Sequence, residues 1–172
     1  MKVPHLPEPL PWQVISDAAG VPAMNDLKFA KSLVDAPPIK RAASHSRDLK
    51  DEQFNLGGYS YGSAAAAAQA YAIAENGGRV DNLVLVGSPI NRDLYDAVKS
   101  HPNIKNVIDI DLSPVGDPIK PGMTDWEMTQ KFPRLVSQMW GKTGHFYYSG
   151  EGPEFDARRD ELARDLVARG VR

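Results

Sequence analysis

Residues 54–89, FNLGGYSYGSAAAAAQAYAIAENGGRVDNLVLVGSP, read as strand, sharp turn, helix and second strand in immediate succession. Phe54 to Gly58 is a short run ending in glycines. Ser63 to Asn76 is rich in alanine, the residue with the highest intrinsic helix propensity, and Gly77-Gly78 supplies the usual helix stop. Asn82 to Gly87 (NLVLVG) is apolar without alternation, as expected for a strand covered on both faces. Two strands joined by a helix lie parallel, because a hairpin cannot join parallel neighbours.

The same alternation extends outward. Downstream, Ser88-Pro89 opens a helical stretch to Ser100 whose buried side is Leu94, Ala97 and Val98. Asn106 to Leu112 reads as another strand, and Pro114 to Gly122 (PVGDPIKPG) as a loop. Thr124 to Trp140 is expected to be helical with a break at Pro133, and Glu154 to Arg169 to be a charged amphipathic closing helix. Upstream, Trp12 to Ser16 fits a first buried strand that runs into Asp17-Ala-Ala-Gly20. A helix from about Asn25 to Asp35 would be capped by Asp26 or Asn25 and stopped by Pro37-Pro38. Lys40 to Glu52 is polar and carries no assignment. The order implies an α/β fold with a mostly parallel central sheet flanked by helices.

At 172 residues, with 42% hydrophobic and 24% charged residues, the chain suits one domain with one sizeable core. That domain is expected over 12–172, behind a proline-rich arm over 1–11 with prolines at 4, 7, 9 and 11. A net charge of −2 offers no general attraction to nucleic acid, so no nucleic-acid partner is expected. The absence of cysteine excludes disulfides, a thiolate nucleophile and cysteine-based zinc sites. The prolines stand where a signal peptide would have its apolar centre, and no segment approaches a membrane-spanning length. The compartment therefore stays open between the cytoplasm and export by a non-Sec route.

Gly58-Tyr59-Ser60-Tyr61-Gly62 matches G-x-S-x-G and lies between the first strand and the alanine-rich helix. In that setting the glycines make room for a turn that pushes the serine hydroxyl out of the sheet. The competing explanation makes the glycines simple packing residues and Ser60 a helix cap. A serine hydroxyl needs a base to take its proton, and the base needs an acid to hold its tautomer. The motif resembles the nucleophile turn of α/β-hydrolases, and that resemblance implies partners in the order acid, then histidine. Of four histidines, His5 and His45 precede Ser60, and His101 precedes the strand expected to supply the acid. His145, in Lys142-Thr-Gly-His145-Phe-Tyr-Tyr-Ser149, follows every candidate. Asp109, Asp111 and Asp117 lie on or after that strand. Asp117 is favoured because sites of open parallel sheets form at the C-terminal ends of strands, with Asp111 as the reserve.

The segments GYSYGS, NLVLVGSPI, GDPI and GHFYYS, in this order between Phe54 and Ser149, resemble a small α/β-hydrolase of the lipase/esterase type. Similar elbows followed by such a strand occur in bacterial lipase-like effector domains. The resemblance implies a compact α/β-hydrolase-like fold, a Ser60 nucleophile, a His145 base, an Asp117 orienting acid and an acyl-serine intermediate. It implies no metal or organic cofactor and a small-molecule or lipid acyl ester as substrate. The backbone N–H of Tyr61 is the expected first oxyanion donor, and the loop around Ala18 the candidate for a second. Tyr59, Trp126 and Trp140 are candidates for the substrate wall. A transient membrane-surface contact and a larger polypeptide or inhibitor partner are compatible with such a protein. So are a thioesterase or peptidase with the same triad, and a hydrolase-like binding module without activity. With only 59 residues ahead of Ser60, the chain is short of strands on that side compared with the family.

Overall fold

In the computed structural model of the chain, residues 24–172 are described; the proline-rich arm, the strand expected at 12–16 and Ala18 lie outside them. Three parallel strands, β1 (Asn55–Tyr59), β2 (Val80–Val86) and β3 (Ile104–Ile110), form a sheet in that order. They alternate with helices α3 (Tyr61–Glu75) and α4 (Arg92–Ser100). Helices α1 (Leu27–Ser32) and α2 (Pro37–Asp48) precede the sheet, and α5 (Asp125–Gly141) and α6 (Pro153–Ala168) follow it. The compact α/β fold with a parallel sheet flanked by helices is thus observed.

The central strand divides its side chains between two cores. Leu83 and Leu85 join α1 to α4 on one face, while Val84 and Val86 join Ile108, Leu112, Tyr148 and α6 residues Leu162 and Leu166 on the other. This is the period-two rule acting on an unbroken apolar run. Leu83, Leu85, Leu94 and Val98 are fully buried, and each contributes about 1.5–3 kcal/mol.

The alanine run of α3 has a packing reason beyond propensity. This helix touches the sheet on one side and α1, α2 and α4 around the rest, and seven of its alanines are buried. A helix surrounded in this way is apolar all round, and small side chains let its neighbours approach.

Pro37-Pro38 do not stop a helix but begin one. They occupy the first turn of α2, where a missing N–H costs nothing, and α1 has already ended at Ser32. Helix α2 fills most of the unassigned polar stretch and enters the core through Ile39, Ala43 and Ser46. The Ser46 hydroxyl accepts from Arg79 N–H (2.9 Å), and a Cβ on Gly78 would stand 2.7 Å from Ala43 Cα. Pro133 does not break α5 either: the helix is continuous through it, with the proline on its exposed side. Helix α4 begins later than expected because Asn91 is the cap, accepting from Leu94 N–H (3.1 Å).

Two polar features hold the lower part of the sheet. Asn55, Asn82 and Asn106 are paired in register across the three strands. Asn82 Nδ2 donates to Asn55 Oδ1 (2.8 Å) and Asn106 Nδ2 to Asn82 Oδ1 (3.1 Å), so a one-residue slip would break the row. Buried Asp81 accepts from Phe54 N–H (2.8 Å), Arg79 Nε (2.9 Å) and Lys105 Nζ (2.7 Å). Burial alone would raise the Asp81 pKa, but the Lys105 and Phe54 hydrogen bonds and the Arg79 charge outweigh it and hold the carboxyl below its ordinary value.

A carboxylate with a lowered folded-state pKa contributes stability that is present above about pH 4 and lost as pH falls through the folded value. Asp81→Ala is expected to cost about 1–2 kcal/mol at pH 7, because Phe54 N–H loses its acceptor and the part-exposed Arg79 and Lys105 lose a partner. It should also remove part of the acid sensitivity, read from thermal unfolding between pH 7 and pH 3. A variant as stable as wild type at pH 7 would refute this account of the sheet base.

Candidate active site

β1 ends at Tyr59 and α3 begins at Tyr61, so Ser60 alone makes the turn. Its backbone sits at φ 53°, ψ −126°, a region that costs a non-glycine residue about 1–3 kcal/mol. Hydrogen bonds from both sides hold it there. Ser60 N–H donates to the Val86 carbonyl (2.8 Å), and the Ser60 carbonyl accepts from Ser63 N–H (3.0 Å) and from the Ser63 hydroxyl.

The two glycines of the motif are not equivalent. A Cβ on Gly58 would lie 2.3 Å from the Gly62 carbonyl carbon and oxygen, whereas one on Gly62 would meet nothing within 4 Å among the described residues. Gly58 is what brings strand and helix together.

Ser60 occupies the N-cap position of α3, yet its side chain makes no capping bond. The hydroxyl instead meets His145 Nε2 at 2.6 Å. His145 lies in a 3₁₀ turn, Gly144–Phe146, and its Nδ1 is 2.9 Å from Asp117 Oδ2. The other Asp117 oxygen accepts from Ile119 N–H (2.8 Å), and Asp117 N–H donates to the Leu112 carbonyl (3.0 Å). Asp117 is 4% exposed and His145 3%. With a carboxylate at Nδ1, that nitrogen carries the hydrogen, and Nε2 is left to accept from the Ser60 hydroxyl.

These groups gather at the C-terminal ends of the parallel strands. Ser60 follows β1, Gly87 follows β2, and Asp117 follows β3 by way of the short helix Ser113–Val115. Gly87, at φ 52°, forms the floor: a Cβ there would stand 3.1 Å from Asp117 Oδ2 and 3.5 Å from His145 Cε1.

Asp111, the reserve acid, is exposed and turned to Ser113, accepting from its N–H and hydroxyl (2.8 Å each), with Lys120 at 3.6 Å. Asp109 accepts from the Tyr95 hydroxyl, and burial pushes its carboxyl pKa up. Neither is bonded to His145. His101 is a half-buried cap between helices, near Glu75 (3.2 Å) and accepting from Asn103 N–H (3.1 Å).

Tyr61 is the first residue of α3, where backbone N–H groups have no partner within the helix. The Tyr59 hydroxyl donates to the His145 carbonyl, and its ring stacks on the imidazole with centroids 5.9 Å apart. Burial, reinforced by the Asp117 charge, pushes the Tyr59 hydroxyl pKa up to about 12. Its polar end is thus spent on His145. Trp126 stands 66% exposed in the first turn of α5, Trp140 lies in its last turn, and Met128 between them is buried in the body.

Three contributors escaped the sequence reading. Ser63 was visible in GYSYGS as a second hydroxyl, and Gly87 in LVGSP as a glycine ending a strand. Gln138 had no local signal, yet its carboxamide touches two of the loops that form the site. Among the described residues no helix is long and apolar enough to cross a membrane, and no group of three acidic, histidine or cysteine side chains could hold a metal ion. Compared with protein-family models, curated proteins and solved structures, the chain matches none.

Proposed function

We propose that the protein is a serine hydrolase of the α/β-hydrolase type that cleaves carboxylic esters through an acyl-serine intermediate. The observation that carries this reading is the continuous line from Ser60 Oγ to His145 Nε2 (2.6 Å) and from His145 Nδ1 to Asp117 Oδ2 (2.9 Å), with the serine on a strained turn. A hydroxyl meant only to cap α3 would have bonded to the helix backbone, and this one does not.

In this mechanism Ser60 Oγ attacks the ester carbonyl carbon as His145 Nε2 takes its proton. Asp117 keeps the imidazole in the right tautomer and stabilises the imidazolium. The oxygen that becomes negative meets the Tyr61 N–H at the positive end of α3. Collapse breaks the bond to the alcohol oxygen, which receives the proton from His145. Water then attacks the acyl carbon, again giving up a proton to His145, and the acid leaves as Ser60 regains its hydrogen.

The test is labelling by a fluorophosphonate, followed by mass mapping of the modified residue. Wild type should label at Ser60, and both Ser60→Ala and His145→Ala should lose the label. A folded wild type that stays unlabelled would instead favour a binding module. A panel of esters, thioesters and peptides of graded acyl length then separates the hydrolase classes.

A further inference from the structure

Gln138, on the last turns of α5, joins the acid loop to the histidine loop through its side chain. Its Nε2 donates to the Gly116 carbonyl (2.7 Å), one residue before Asp117, and its Oε1 accepts from His145 N–H (2.9 Å). Only one orientation of the carboxamide serves both, because one neighbour is an acceptor and the other a donor. The space it occupies is cleared by Gly144, at φ 54°, where a Cβ would fall 2.3 Å from Gln138 Oε1. The histidine backbone is thus held at N–H by Gln138 and at its carbonyl by Tyr59, while its ring is held by Asp117 and Ser60.

We propose that Gln138 is a positioning residue that sets the distance between Asp117 and His145, so that α5 controls the geometry of the base. As far as catalysis goes, this rests on the hydrolase reading above. It touches neither substrate nor reacting atoms; it acts by fixing the backbone from which each of the two side chains projects. Misplacing a catalytic group by about 1 Å costs on the order of 100-fold in rate, so the clamp matters although it is remote from the ester.

The experiment uses three variants and two readouts. Gln138→Ala removes the clamp, Gln138→Met keeps the length without hydrogen bonds, and Gln138→Glu keeps the acceptor but sets an oxygen against the Gly116 carbonyl. Gln130→Ala, on the exposed side of the same helix, is the control. One readout is steady-state ester hydrolysis; the other is the NMR signal of the His145 Nδ1 proton, which needs no turnover. The expected result is a fall in kcat of about 10- to 100-fold with KM within about twofold, together with loss or shift of the proton signal. If Gln138→Ala does not fold, the Met and Glu variants give both readouts. A changed proton signal in a protein whose wild type hydrolyses nothing would uphold the clamp and sink the hydrolase reading. Folded Met and Glu variants with wild-type kcat and proton signal would overturn the clamp.

Discussion

Under the proposed mechanism, alanine at position 60 is expected to lower kcat for a chromogenic ester by about 10⁴- to 10⁶-fold, because it removes the proposed nucleophile and leaves the proposed oxyanion donor in place. Folding should hardly notice. The hydroxyl caps nothing and is bonded only to His145, so the melting temperature should stay close to that of wild type. Asp117→Asn should fall by about 10⁴-fold, since an amide can present its N–H to Nδ1, which puts the ring hydrogen on Nε2 and leaves no lone pair there to take the Ser60 proton. Both belong in one steady-state series, with thermal melts of the same preparations. More than about one percent of wild-type activity in Ser60→Ala would rule out an acyl-serine route.

The largest effect on stability is expected at Gly58. A methyl group there would stand 2.3 Å from the backbone of Gly62 and 2.5 Å from Ser63 N, atoms that cannot rotate away. Gly58→Ala must therefore spread strand from helix, at about 3 kcal/mol or more. For a chain of this size that is a fall in Tm of about 6–12 °C. Gly62→Ala should leave Tm unchanged or raise it slightly, because it meets no described atom and replaces glycine inside a helix. Paired melts decide the matter: equal losses at both positions would mean that the motif's glycines act alike.

Much of this architecture was legible in residues 54–112 because each element there is specified locally. NLVLVG has the composition of a doubly covered strand, and the alanine run has both the propensity and the size its neighbours require. Pro37 and Pro133 misled for a common reason: a proline's effect depends on where it falls in a helix and which side it faces, and both depend on neighbours. His145 could be picked out of four histidines because the α/β-hydrolase order that the motif suggests puts the histidine after the acid. Choosing Asp117 over Asp111 used only its place on a loop past the strand end, and the structure brings Asp117 to His145. Gln138 was not legible at all, since its meaning lies in a carbonyl and an amide on two loops that only the fold brings within reach.

The sheet order β1-β2-β3 is also the order of synthesis. Each pairing closes only over the helix between two successive strands, a shorter loop than any connection that skipped a strand would have to close. The strands can consequently zip together while the C-terminal third is still being made. Asp117 and His145 lie beyond all three strands in the chain, so Ser60 meets these two partners only after every strand of the sheet has been made.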